Sequence, residues 1–299
     1  MTTNAIQSSH IYSTYFAPRG RSRIYTLGMQ IAQLYLSPFD QIIGFIGEAG
    51  SGKSVLIKGM FPGIELTNDD DGVNVRPLPL LEQEYETGFF TPHTYHLDIR
   101  FETGFHQLSE LADAVRLAVR RGKRIIIEHF DLIYPLLGVN ANLLIGVGEQ
   151  IVITRPNLFG PLPQELCDIV YPSLAYRLMA HSAEDLCEYA MTQEQMLACS
   201  HGDIRHGFVL EFNEHQPDID IPTLEARVNE LIRQYLPIDY YDESHILLGG
   251  AQHYCTGPRT HVRSTGRIIG FRLLDHFIYD HFHKTYMPVS YTHLRAHET

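Results

Sequence analysis

The sequence predicts an α/β protein: a three-layer α/β/α domain with a largely parallel sheet, followed by a smaller α+β module. Three observations predict it. Short apolar runs at 42–46, 124–127 and 148–154 alternate with stretches of helical periodicity across the first half of the chain. A proline-rich connection, RPNLFGPLP at 155–163, then interrupts the alternation. Beyond it come a helical stretch at 179–187 and a turn-forming segment at 255–262. With 299 residues, 44% hydrophobic and 19% charged, the chain is long enough for two such domains.

In chain order, residues 21–36 set Ile24, Leu27, Ile31 and Leu34 at helical spacing, an amphipathic helix leading into the strand 42–46. The run KSVLIKGMF continues as a helix and stops at Pro62-Gly63, where both residues oppose extension. Residues 93–99 read as a strand, 108–121 as a helix ended by Gly122, and 124–127 as a buried strand ending at Glu128.

Between the first strand and its helix stands Gly47-Glu48-Ala49-Gly50-Ser51-Gly52-Lys53-Ser54, followed by Val55. Glycines at this spacing let consecutive backbone N–H groups turn inward on phosphates, a lysine reaches the β/γ oxygens, and a Ser hydroxyl serves Mg²⁺. The helix N-terminus adds partial positive charge. A triphosphate such as ATP or another NTP, with Mg²⁺, is the expected cofactor. An acidic group should orient the nucleophile. The candidates are Glu128, with Asp131 three residues on, then Asp98, and the acidic turn Asp69-Asp70-Asp71-Gly72. Glu128 is favoured because a carboxylate ending a hydrophobic strand emerges at the sheet edge where ligands bind. Lys53, Glu128 and Asp98 are thus the candidate catalytic groups.

This half resembles the uridine-kinase-like branch of P-loop kinases. The match lies in GEAGSGKS, in NDDD at 68–71 after Ile64-Glu65-Leu66, and in KRIIIEHFDLIYP at 123–135. Those kinases carry a glycine after the glutamate, where His129 stands here.

In the second half, His181 and Asp185 in MAHSAEDLC have the i, i+4 spacing of one helix face. Cys255 and His261 lie in the turn-forming CTGPRTHV. Nitrogen, oxygen and sulfur donors together suit tetrahedral Zn²⁺. HSAEDL resembles the HTAEHL helix of the threonyl/alanyl-tRNA synthetase second additional domain, and Cys255 to Gly266 resembles its CGGTHV…TG motif. Between them GFVLEF resembles the family's GFYYDF strand, and the helix 223–234 sits where the family has its own. The resemblance implies zinc binding, or an editing site that hydrolyses wrongly charged tRNA, with His181, Asp185, Cys255 and His261 at the matching positions. The family's second helix histidine is Asp185 here, and the cysteine loop is two residues longer. Cys199, His201 and His206 in CSHGDIRH are expected in a loop, and Asp239-Tyr240-Tyr241-Asp242 at a strand entrance.

These readings divide the chain into a helical lead-in (1–40), a P-loop nucleotide-binding domain (41–155), a linker (156–175) and a synthetase-type second additional domain (176–287). The last twelve residues, PVSYTHLRAHET at 288–299, resemble the conceptual translation of a transposase mosaic-end adapter, so they are set apart and the natural sequence is expected to depart near Met287.

The net charge of −12, with no basic block, argues against a broad nucleic-acid or membrane surface. Residues 177–287 hold nine Lys/Arg against sixteen Asp/Glu, yet Arg259, Arg263, Arg267 and Arg272 gather around the cysteine segment, where a positive mouth could take a phosphate or a tRNA end. Four cysteines without CxxC spacing, an N-terminus lacking signal-peptide features, and no apolar run of the ~18–20 residues a span needs together predict a cytoplasmic protein. The expected function is nucleotide hydrolysis or phosphoryl transfer coupled to a reaction on an aminoacyl-tRNA or a related small substrate. The alternatives are a nucleoside or small-molecule kinase whose second domain shapes the acceptor site, and a nonenzymatic nucleotide-dependent switch that binds tRNA or a synthetase.

Overall fold

A computed structural model describes residues 11–64, 66, 78–82, 93–213 and 215–292. The acidic turn Asp69-Asp70-Asp71-Gly72 lies outside them. The chain forms two compact units. The first holds Ile24–Pro172 with the described residues up to Tyr15; the second holds Phe16–Arg23 and the chain from Ser173 onward.

The first unit is mixed α/β. Its sheet contains β1 (Ser13–Phe16), β2 (Ile42–Ile46), β3 (Thr94–Asp98), β4 (Arg124–Glu128), β5 (Leu143–Val147) and β6 (Gln150–Thr154), in the order β1-β6-β5-β2-β4-β3. Strands β3, β4, β2 and β5 run parallel, and β6 returns antiparallel to β5. Every residue of β2 and β5 is buried, so both faces of the sheet are covered.

The helices of this unit are α1 (Arg21–Tyr35), α2 (Lys53–Met60), the short α3 (Pro79–Glu82) and α4 (Ile99–Glu102), α5 (Leu108–Arg120) and α6 (Phe130–Leu137). In α5 the buried Leu111, Ala112, Val115 and Ala118 make one apolar stripe, which packs in the same core as Ile125 and Ile127 of β4. Gly122, with φ 73°, turns the chain from that helix into β4.

The sequence reading placed one strand at 148–154 and missed the strand before it. LLIGV and QIVIT are β5 and β6, joined by the tight turn Gly148-Glu149, with Gly148 N–H donating to the Gln150 carbonyl. A continuous apolar run gives no period by which to see the reversal.

The expected linker 156–175 is also corrected. Helix α7 runs Pro163–Ala190 and carries residues of both units. Pro163 is its first residue, where the missing N–H costs nothing, and Pro172 is accommodated inside it. Two prolines that read as loop are therefore helical.

The second unit is α+β and built on antiparallel sheets. Strands β7 (Cys199–Ile204) and β8 (Gly207–Asn213) form a hairpin, so CSHGDI is a strand rather than the expected loop. Strand β8 also pairs with β14 (Thr285–Met287) and β15 (Val289–Tyr291). Beyond them lie β13 (Ile278–Asp280) and β12 (Arg272–Leu273). A second sheet is the meander β9 (Ile238–Asp242), β10 (His245–Leu248) and β11 (Ala251–Tyr254).

Helices α8 (Gln193–Ala198) and α9 (Ile221–Arg233) complete this unit. Helix α9 starts where Asp220 accepts from Thr223 N–H, with Pro222 in the first turn. Its buried Leu224 and Val228 join Ala183, Leu186, Phe208, Leu210 and Ile246 in one core. Two segments depart from the expected boundaries. Residues 16–23, read as helical lead-in, belong to this unit, and 289–291, set apart above, take a strand's place in its larger sheet. Among the described residues no helix is long and apolar enough to cross a membrane.

Candidate functional site

In the first unit, β2 hands the chain to α2 through the glycine-rich turn. Gly47, Gly50 and Gly52 take φ of 152°, 78° and 90°, values a side chain opposes. Lys53, 4% exposed, turns its Nζ back to donate to the carbonyls of Gly47 (3.0 Å) and Glu48 (2.9 Å). Burial draws its pKa below the usual lysine value, against the pull of Glu128 and Asp98. Ser51 is buried, Ala49 and Gly50 are exposed, and Val55 is half-buried in the first turn of α2.

Register places the carboxylates. Phe45 of β2 stands opposite Glu128 of β4, and Asp98 of β3 opposite the same Glu128. Both acids therefore lie at the C-terminal edge of the sheet, beside the turn, where open α/β sheets take ligands. Glu128 Oε1 accepts from Ser54 Oγ (3.0 Å) and faces His96 Nε2 (3.2 Å), while Oε2 lies 3.6 Å from Lys53 Nζ. Burial acts to raise the Glu128 pKa; the bond and charge of His96, with Lys53 and Ser54, outweigh it and hold the carboxyl below its ordinary value. Asp98 spends Oδ1 on Phe101 N–H (3.0 Å), capping α4, and burial raises its pKa.

His129 begins α6 in the left-handed region, φ 56°. Burial, and then the charges of Lys53 and Arg100, lower its pKa to about 4, so the imidazole is neutral near pH 7. Arg100 pairs with Glu48 at 3.0 Å, and Asp131 accepts from Tyr171 Oη (3.2 Å). The turn fits a phosphate group on two counts: its glycine conformations form a concavity of backbone, and a buried ammonium rests on backbone oxygens. Ser54 beside Glu128 fits a magnesium ion.

In the second unit, His181, Asp185, Cys255 and His261 place one ligand atom each within 4.8 Å of the others. Cys255 Sγ lies 3.5 Å from His181 Nε2 and 3.7 Å from His261 Nε2. Asp185 Oδ2 is 2.7 Å from His261 Nε2, and Oδ1 is 3.9 Å from His181 Nε2. Ligands around a tetrahedral zinc stand ~3.3–3.6 Å apart at Zn–N and Zn–S distances of about 2.0–2.3 Å. Of these four distances the His261–Asp185 one is shorter, as a hydrogen bond.

The outer contacts fit as well. His181 Nδ1 meets the Thr260 carbonyl (3.0 Å) and His261 Nδ1 the Pro258 carbonyl (3.2 Å), which leaves both Nε2 atoms for the centre. Gly257 N–H donates to Cys255 Sγ (3.3 Å). Burial, then Asp185, raises the Cys255 thiol, and burial with His261 depresses His181. A cation bound among them would reverse the thiol's preference.

A pocket of ≈ 340 Å³ opens beside His261, lined by Ile238, Tyr240, Pro258, Arg259 and Arg263, with the Arg259 guanidinium 4.5 Å above the Tyr240 ring. Arg272 instead pairs with Glu225 (3.0 Å), so two of the four expected arginines line this mouth. A larger cavity, ≈ 700 Å³, involves Asp40, His93, Gly122 and Arg124 at the N-terminal ends of the parallel strands, the opposite edge from the glycine-rich turn.

Sequence reasoning missed Arg19 and Glu184. Arg19 donates from Nε to Glu184 Oε2 and from Nη2 to Oε1, both at 3.0 Å, with both residues buried. It missed Glu188 and His253 too, although Glu188 follows Asp185 by one helical turn and His253 precedes Cys255 by two residues, both readable spacings.

No known protein family and no curated protein matches the chain. Among solved structures, it is similar to an amino transferase from Eubacterium rectale at 13% identity and a TM-score of 0.23, over 76% of this chain and 67% of that one. A likeness at that level transfers neither fold nor chemistry.

Proposed function

We propose that the first unit is a P-loop-type domain that binds a nucleoside triphosphate with Mg²⁺, and that the second is an editing-like domain with Zn²⁺ on His181, Asp185, Cys255 and His261. Hydrolysis or phosphoryl transfer in the first would be coupled to a reaction on an aminoacyl-tRNA or a related small substrate in the second. One observation carries the nucleotide reading: a buried lysine at the start of a helix rests its ammonium on carbonyls of a three-glycine turn, beside a Ser54–Glu128 pair at the sheet's C-terminal edge.

Lys53 exchanges those carbonyls for phosphate oxygens and stabilises the charge that spreads over them. Ser54 offers its hydroxyl to the magnesium ion. Glu128, kept ionised by its neighbours, orients the attacking water or hydroxyl, and Asp98 stays a helix cap and secondary candidate. Bound magnesium would neutralise phosphate charge, and bound zinc would polarise a carbonyl or a water. Arg259 and Arg263 would hold an anionic group of the substrate beside His261.

The kinase alternative draws on the pairing of Asp98 with Glu128 at the same edge, where an acceptor hydroxyl could be received. Calorimetry with Mg-ATP and Mg-GTP tests the cradle: binding is expected in the full chain and falls about 10- to 100-fold in Lys53→Met, the worth of a charged hydrogen bond. Absence of binding sinks the reading. Deacylation of mischarged tRNA, lost in Cys255→Ala, supports the coupled reaction. ADP release that depends on an added nucleoside supports the kinase, and binding without turnover supports a switch.

A further inference from the structure

We propose that the second unit holds a second divalent cation on Asp185, Glu188 and His253, making Asp185 the shared ligand of a binuclear centre. The inference rests on the zinc reading of the first centre and goes beyond it in ions, ligands and chemistry.

Helix and strand geometry put the groups together. His181, Asp185 and Glu188 occupy positions i, i+4 and i+7 of α7, one face of the helix. On the facing chain His253 and Cys255 are two residues apart and both buried, while Tyr254 between them is exposed, as extended backbone requires. Ligand atoms of Asp185, Glu188 and His253 lie within 4.8 Å of one another, and Asp185 belongs to this group as well as to the first. A carboxylate has two oxygens with which to serve two ions; a neutral imidazole has one free nitrogen. The aspartate that stands where the resembling family has histidine is what makes sharing chemically available.

A separate observation points to the ligand. His253 is 9% exposed, and its Nε2 has no hydrogen-bond partner among the described residues, although it lies 3.8 Å from Glu188 Oε2. A buried ring nitrogen left in that state is costly. Glu188 is already oriented: Oε1 is taken by His201 Nε2 at 3.0 Å, and Oε2 is the atom nearer His253. His201 thus acts as an outer partner that fixes a ligating carboxylate. Cys199, close to the same two residues, turns its thiol to the Met196 carbonyl (3.2 Å) and stays out of the set.

Two carboxylates and one imidazole suit a borderline or hard divalent ion: Mn²⁺, Fe²⁺, Co²⁺ or Zn²⁺. Three protein ligands leave positions for water or substrate, unlike a closed structural site. Ions sharing a carboxylate in such pairs sit about 3.5–4 Å apart, close enough to bind one substrate oxygen between them. The ligand class is therefore a hydrolysable ester or phosphate whose oxygen can be held by both ions.

The test uses the full chain, stripped of metal and titrated with Co²⁺. Absorption reports sulfur-to-cobalt charge transfer, and elemental analysis after dialysis reports the number of ions bound. Two equivalents are expected, one with the Cys255 charge-transfer band and one without it. His253→Gln and Glu188→Gln should each keep the band and bind a single equivalent. Saturation of the wild type at one equivalent with the band overturns the second site and leaves the zinc reading intact; no cobalt at all overturns both. Two equivalents retained in His253→Gln also overturn the assignment. Should the variants fail to fold, electron paramagnetic resonance of the two-cobalt wild type decides, because a shared carboxylate gives exchange-coupled signals and uncoupled ones overturn the bridge.

Discussion

Arg19 meets Glu184 through two parallel hydrogen bonds, and the same guanidinium donates to the carbonyls of Gly202 (2.9 Å) and Gly207 (3.1 Å) and lies 3.2 Å from Asp203. Removing the Glu184 charge leaves the buried guanidinium with Asp203 as its remaining anionic neighbour, which costs about 1–3 kcal/mol. Glu184→Gln is therefore expected to destabilise the second unit by that amount in urea unfolding followed by circular dichroism. Arg21→Ala, which breaks the pair of Arg21 with Glu243 on the surface, should change stability by less than about 0.5 kcal/mol. Equal losses in the two variants would contradict the burial argument. The same contrast explains what could be read from the chain. Lys53, Ser54 and Glu128 announce themselves because their chemistry is local or sits at a strand end. Arg19 and Glu184 are 165 positions apart, and an arginine beside Pro18 carries no mark of its partner.

At the scale of elements, the amphipathic helix α5 and the strands β2, β3 and β4 were legible from their own period or punctuation, whereas β8 and α9 were placed by the family resemblance of their segments. The β5–β6 hairpin and the first half of α7 were not legible, because apolar runs lack a period and prolines in a first helical turn look like those of a loop. Strand β15 makes a sharper case. Its residues read as foreign to the fold, yet Val289 pairs with Val209 and Ser290 with Phe208, and Ser290 and Thr292 are fully buried. The close contact is possible because Gly207 has no side chain: a Cβ there would stand 2.0 Å from the Ser290 carbonyl oxygen. Gly207→Ala is expected to push β15 from the sheet at a cost of about 1–3 kcal/mol, with new proteolytic cleavage after Met287 seen by mass spectrometry. Truncation at Met287 should lower the unfolding temperature comparably. An unchanged transition in both proteins would show that β15 adds nothing to the sheet.

At the scale of the whole molecule, each unit has its own hydrophobic core. Ligands of one should stabilise that unit by mass action, by about 2.7 kcal/mol at a hundredfold excess over Kd. Differential scanning calorimetry is expected to show a transition that Mg-nucleotide raises and one that zinc chelation lowers. If the chelator shifts the nucleotide-sensitive transition instead, the assignment of ligands to units fails. Class and order of elements at this scale followed from the alternation of strands and helices. The true boundaries did not, since membership of a core is decided by contacts far apart in the chain.

That the second unit draws on Phe16–Arg23 and then on the chain from Ser173 makes it a split body, with the Ile24–Pro172 part of the first unit lying between its pieces in sequence. A ribosome delivers the early piece long before the rest, so the short arm bearing Arg19 must wait while the intervening α/β body forms, and it docks only when the late helix has emerged. A fragment cut at 176–287, as the sequence motifs alone would advise, would lack that arm and be poorly soluble. A fragment 173–292 with 16–23 supplied on a linker should stay soluble, since it regains both that arm and β15.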